Sequence, residues 1–138
     1  MAWALLILFD FGYIPLRARK FTKGVKYMSD RELSHISRIL LENKSKRFVD
    51  RILRRSEYPT LDLGDGNYAT HKMSWMEDGG KFRVFPTVVE DEKGGLMEME
   101  PRKAYERALY SDDFIEFPSG EEADWFSKNY KMIWGDRQ

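Results

Sequence analysis

The chain has 138 residues, no cysteine, four tryptophans and equal numbers of acidic and basic side chains. A chain of this length buries roughly two-thirds of its surface on folding, enough for one self-supporting core, and its aromatic content argues against intrinsic disorder over most of its length. The lack of cysteine excludes disulfides, thiolate zinc sites, iron-sulfur clusters and thiol nucleophiles together.

Residues 1–9 are almost wholly apolar, but Asp10, Gly12 and Pro15 interrupt the run well short of the ~20 residues a membrane span requires. No membrane span is expected. The positive charges Arg17, Arg19, Lys20, Lys23 and Lys26 follow the apolar stretch, the reverse of the order in a signal peptide. Residues 1–27 read either as an upstream extension before a start at Met28 or as an apolar, then basic, arm that docks on a partner. Residues 28–138 read as a single α+β domain.

The charge is unevenly placed. Residues 17–55 carry thirteen basic and four acidic side chains, whereas residues 56–138 carry ten and eighteen. A basic surface of this kind suits nucleic acid or an acidic partner. The reading favoured over that is mutual attraction, either between the two halves of one chain or between copies stacked head to tail.

Ser29-Asp30-Arg31-Glu32 has the spacing of a capping box and predicts a helix over about residues 30–41, with Leu33, Ile36, Leu40 and Leu41 as its apolar stripe. Phe48, Val49, Ile52 and Leu53 predict a second helical segment that ends near Arg55, where Arg51, Arg54 and Arg55 complement the helix dipole. Tyr58-Pro59 stops helical geometry. The turn signals Asp65-Gly66, Asp78-Gly79-Gly80 and Gly94-Gly95 then divide the chain into extended runs at Leu61 to Leu63, Asn67 to Met76, Lys81 to Glu90 and Leu96 to Met99, an antiparallel β-meander of three to four strands. Alternation sets Ala69, His71, Met73 and Trp75 on one face of their run and Phe82, Val84 and Val88 on one face of the next, with Pro86 marking an edge or bulge. Pro101 opens a helix with Ala104, Tyr105, Ala108 and Leu109 as its stripe. A short strand, Phe114 to Phe117, precedes a last helix that Ser119 and Glu122 cap and that carries Ala123, Phe126, Tyr130 and Trp134 at helical intervals.

Catalytic motifs are missing: there is no H-E-x-x-H, no G-x-S-x-G and no phosphate loop, and only His35 and His71 supply imidazoles. Asp62, Asp65 and Asn67 lack the ligand spacing of a calcium loop. Glu77, Glu90, Glu98 and Glu116 offer carboxylates, but nothing marks a glycosidase-like pair among them. The expectation is a non-enzymatic protein with no catalytic residues, metal or cofactor. Its interaction candidates are His71, Lys72, Trp75, Arg47, Arg51, Arg54 and Trp134.

The segments Phe48-Val49-Asp50-Arg51-Ile52-Leu53, Tyr58-Pro59, Gly64-Asp65-Gly66, Thr70-His71-Lys72-Met73, Phe85-Pro86-Thr87-Val88-Val89, Phe114-Ile115-Glu116-Phe117, Ala123 and Asn129-Tyr130-Lys131 together resemble a small module of tailed-bacteriophage proteins. The resemblance covers residues 45–134; Arg54-Arg55 stands where that module often has a turn-forming pair. The module occurs alone and inside long virion-associated polypeptides, some of which also carry peptidoglycan-cleaving domains, and it brings no catalytic residues. The resemblance implies a bacteriophage protein of the virion or the host cytoplasm, most simply a virion-associated structural or protein-interaction component whose partners are other virion proteins or copies of itself. Two alternatives stay open: a host-directed inhibitor acting by protein binding, and an accessory domain of a cell-wall hydrolase. Nucleic-acid binding through residues 17–55 is a side expectation.

Overall fold

In the computed structural model, which describes residues 29–135, helix α1 (Asp30–Glu42) starts where the Ser29 hydroxyl accepts the Glu32 N–H and the Glu32 carboxylate accepts the Ser29 N–H. Both halves of the expected capping box are formed. The arm of residues 1–27 lies outside the described residues. The stripe of α1 differs in one detail from the expected one: Ile36, Ile39 and Leu40 are buried, whereas Leu41 is 58 % exposed. Helix α2 (Arg47–Leu53) follows, buries Phe48, Val49 and Ile52, and passes into a 3-10 turn at Arg55–Glu57. Its N-terminus is capped from far along the chain, the Asp113 carboxylate accepting the Phe48 N–H at 3.3 Å.

The antiparallel α+β architecture is as the sequence implies, and the extended runs are subdivided more finely. Strands β1 (Leu61–Gly64) and β2 (Asn67–Ala69) form one two-stranded ribbon; β3 (Met73–Asp78) and β4 (Lys81–Pro86) form a hairpin; β5 (Val88–Glu90) and β6 (Leu96–Glu98) form another ribbon. The β3–β4 turn is two glycines with positive φ, Gly79 at 61° and Gly80 at 81°, the backbone that a tight hairpin requires and that side chains resist. Helix α3 (Pro101–Ser111) leads to β7 (Ile115–Phe117), which returns to pair with β4 and makes a sheet of order β3-β4-β7. Pro86 ends β4 opposite Met73, beyond the reach of β7, where its missing N–H interrupts no ladder on that side.

Strand β4 is covered on both faces. Val84 joins the main core with Ile36, Phe48, Ile52, Ile115 and Phe126, contributed by α1, α2, β7 and the last helix α4 (Gly120–Asn129). Phe85 points the other way into a smaller core with Ala104, Tyr105 and Ala108 of α3. Leu109, expected in that stripe, is 40 % exposed, because a position 100° on from Ala108 has already left the sheet-facing arc. Arg83 holds the two layers together, donating to Glu116 on β7 at 3.0 Å and to the Tyr105 hydroxyl at 3.1 Å, while that hydroxyl donates to Asp78 at 2.6 Å. Ser119 caps α4 by accepting the Glu122 N–H, and the last element among the described residues is a 3-10 segment, Tyr130–Trp134. No helix among the described residues is long and apolar enough to cross a membrane.

The packing makes a stability contrast. Phe126→Ala is expected to cost about 3–5 kcal/mol, whereas Tyr110→Ala, at a side chain 94 % exposed, stays within about 0.5 kcal/mol. Urea unfolding midpoints of the two variants check this, and a similar loss for both would contradict the core described.

Candidate functional site

Helix α2 carries an arginine into the interior. Arg51 follows Phe48 by three residues and adjoins Ile52, so it occupies the same arc as the apolar side chains and is only 2 % exposed. The sequence expectation placed it with the helix-terminal cations; the structure corrects that. Its Nη2 donates to the Val88 carbonyl on β5 and lies 3.4 Å from His71 Nδ1. No carboxylate touches it among the described residues; burial pushes the guanidinium below its ordinary pKa, with Glu90 and Asp113 pulling it back from a distance.

His71 lies between β2 and β3 and is 1 % exposed. Its ring stacks on Phe48 at 5.6 Å and meets Tyr130 edge-on at 5.2 Å, and the Tyr130 hydroxyl donates to the His71 carbonyl at 3.3 Å. Burial, then the positive charges of Arg51 and Lys131, hold its pKa well below the ordinary 6.5, so the ring is neutral. A guanidinium only donates, so Nδ1 accepts from Arg51 and the proton is thereby assigned to Nε2. That Nε2 and Arg51 Nε are buried and have no hydrogen-bond partner among the described residues.

Arg51 and His71 separate two clefts. His71 lines the first, of about 390 Å³, together with Arg55, Thr60, Tyr68, Thr70 and Lys131. Arg51 lines the second, of about 360 Å³, with Lys46, Arg47, Glu90, Arg107 and Asp113. The first holds cations and hydroxyls; the second holds both signs. In the second, Asp113 is pushed above the ordinary carboxylate pKa by burial.

Of the sequence-derived candidates, the structure brings Arg51 and His71 together and sets Trp134 beside them on the first cleft. Trp134 donates from Nε1 to the Ile52 carbonyl at 2.9 Å and its ring carries the Arg55 guanidinium at 4.0 Å. The others lie elsewhere. Arg47 grips Glu90 with two nitrogens, the Nη2 contact being 3.1 Å. Arg54 clasps Asp50 through two contacts of 2.8 Å and reaches Glu57 at 2.7 Å; Asp50, also bound by the Tyr58 hydroxyl, is lowered to about 2. Lys72 pairs with Glu98 at 2.6 Å, and Trp75 donates to Asp124 at 3.0 Å. Arg47, Arg51 and Arg54 are thus an ion pair, a buried group and a second ion pair, not a row of unengaged cations.

Sequence reasoning did not single out Lys131, Arg55 or Tyr58 as site residues, because nothing local links the end of α2, the β1–β2 ribbon and the C-terminal 3-10 segment. It also missed a histidine-carboxylate pair: His35 Nε2 lies 3.2 Å from Glu122 Oε2, beside the Trp125 ring at 5.6 Å. Glu122 thus turns its carboxylate toward α1 while its N–H serves the Ser119 cap. Comparison of the chain with protein-family models, with curated proteins and with solved structures finds no match.

Two predictions follow from the buried pair. Since His71 has a depressed pKa in the fold, below about pH 6.5 the unfolded chain takes up a proton that the folded chain refuses. The stability held by the neutral ring is complete above that pH and falls as the pH drops, by at most about 1.4 kcal/mol per unit. In His71→Gln this part of the slope should vanish when stability is followed from about pH 7 to pH 5 by urea unfolding; an unchanged slope would refute a buried neutral imidazole. Arg51→Met, which strands the Val88 carbonyl and His71 Nδ1, should cost about 1–3 kcal/mol, and Arg47→Met, at a half-open ion pair, less than about 1 kcal/mol. Equal costs would place Arg51 outside the core.

Proposed function

We propose that this protein is a non-enzymatic bacteriophage component that works by binding another protein, most simply a neighbour in the virion. The observation that carries the binding role is the β1–β2 ribbon. It buries only Ala69, and it holds Leu63 and Tyr68 in solvent, Tyr68 being 64 % exposed. A two-stranded ribbon is marginal in water, and an apolar pair presented on one suits a partner surface better than solvent. The ribbon also leaves both its outer edges without strand partners among the described residues, which is the arrangement that strand addition uses. The bacteriophage context comes from the resemblance of residues 45–134 to the module of tailed phages.

The chemistry around His71 supports binding above catalysis. His71 is neutral and faces a cation, so it has no base or carboxylate to set up proton transfer. Glu90, Glu98 and Glu116 are each engaged by Arg47, Lys72 and Arg83 respectively.

Quantitative mass spectrometry of purified particles, with a time course of infected cells, tests the reading. We expect the protein in purified particles in fixed copy number, with Leu63→Ser and Tyr68→Ser reducing its incorporation while the purified variants unfold at the same urea concentration as the parent. Early synthesis and absence from particles would overturn the virion reading in favour of a host-directed inhibitor.

A further inference from the structure

We infer that the cleft lined by His71, Arg55 and Lys131 is a binding site for a phosphate monoester. The inference goes beyond the docking role of the β1–β2 ribbon and does not depend on it, although both use the Tyr68 ring.

Three features of the cleft select the ligand. The first is a buried donor. Arg51 occupies His71 Nδ1, so the ring's other nitrogen carries the proton, and that Nε2–H has no acceptor among the described residues although the side chain is 1 % exposed. A buried N–H without an acceptor costs about 1–3 kcal/mol; His71 is among the residues that line the cleft, so a small movement of the ring toward a bound oxygen would remove that cost. The second is charge. Arg55 and Lys131 both line the cleft, neither forms an ion pair among the described residues, and no acidic side chain among those residues lines it. Lys131 is half-buried, and burial with the repulsion of Lys72 and Arg55 lowers its pKa, so an anion beside it relieves a standing penalty. Two positive charges and one neutral donor match a group of charge about −1.5 to −2 with three acceptor oxygens, which is a phosphate monoester near neutral pH; a carboxylate supplies one charge and two oxygens. The third is shape. The Arg55 guanidinium carbon lies 4.0 Å from the centre of the Trp134 ring, a cation–π contact that holds the charge at the wall of the cleft while its N–H groups can still bind a phosphate oxygen. Thr60 and Thr70 add hydroxyls, and about 390 Å³ exceeds what a phosphate group fills, so the exposed Tyr68 ring is left as a wall for the organic body that the phosphate carries.

The terminal phosphate has two sources, a free small molecule or the phosphorylated end of a nucleic-acid strand, and the same titration separates them. Calorimetry and 31P NMR with adenosine monophosphate should show one saturable site, with the unphosphorylated nucleoside, adenosine, binding at least about tenfold more weakly, as expected for loss of charge-assisted hydrogen bonds. Lys131→Gln and Arg55→Gln should each weaken binding about tenfold, and Arg47→Gln, in the neighbouring cleft, should leave it unchanged. In 15N-edited spectra the His71 Nε2–H resonance should shift on saturation with the monophosphate. A 5′-phosphorylated oligonucleotide that binds more tightly than the mononucleotide assigns the strand end, and one that binds no better assigns the free molecule; both uphold the site. Failure of inorganic phosphate and of the mononucleotide to bind at millimolar concentration would overturn the inference. So would equal weakening by all three substitutions, which would reduce the effect to diffuse electrostatics, or binding that leaves the His71 resonance unmoved.

Discussion

The buried contact between Arg51 and His71 is the constraint around which the other elements are arranged. It joins α2 to the link between β2 and β3, and through the Val88 carbonyl it reaches β5. Phe48 and Tyr130 close over the imidazole from α2 and from the C-terminal 3-10 segment. A charged group without a contacting carboxylate is an expensive thing to bury. The fold tolerates it because the guanidinium donates hydrogen bonds to a carbonyl and to a ring nitrogen, and because Glu90 and Asp113 lie close enough to be felt. The same contact sets the character of the clefts on either side, since each presents one face of the pair.

Part of the uneven distribution of charge along the chain is matched within one molecule. Lys46 reaches Asp112 and Arg47 holds Glu90, pairing cations of the basic first part with acids of the second, and the His35 ring meets the Glu122 carboxylate across the same divide. The favoured sequence reading of that asymmetry is mutual attraction, within one chain or between stacked copies, and these pairs accord with the first form. Surface pairs of this kind add little stability each. Their effect is on specificity: they favour the arrangement in which α1 and α2 lie against α4, β5 and the end of α3.

Local chemistry made much of the fold legible. The Ser29 capping box, the Pro101 helix start, the Ser119 cap and the paired-glycine turn after Asp78 each depend on residues within four positions of one another, and each appears where the sequence places it. What was hidden depends on distance. The division of the extended runs, the return of β7 to β4 and the covering of both faces of β4 arise from pairing that no local pattern records. Arg51 is an intermediate case. Its spacing from Phe48 and Ile52 put it on the apolar arc, a signal that was present and was outweighed by its reading as one of three cations complementing the helix dipole. Among the site residues, His71 and Trp134 were visible as singular residue types in a marked setting, whereas Lys131 and Arg55 were ordinary surface cations until the chain end brought them to the same cleft.

That cleft has one wall made of Lys131 and Trp134, from the final 3-10 segment, and another made of residues some sixty to eighty positions earlier. A polypeptide leaves the ribosome N-terminus first, and domains complete their cores as the last required segment emerges. The β3–β4 hairpin can therefore form early, while the Phe48, His71 and Tyr130 stack must wait until nearly the whole domain has been translated. The step that brings Tyr130 onto His71 also places Lys131 and Trp134, so closing this part of the core and completing the cleft are one event.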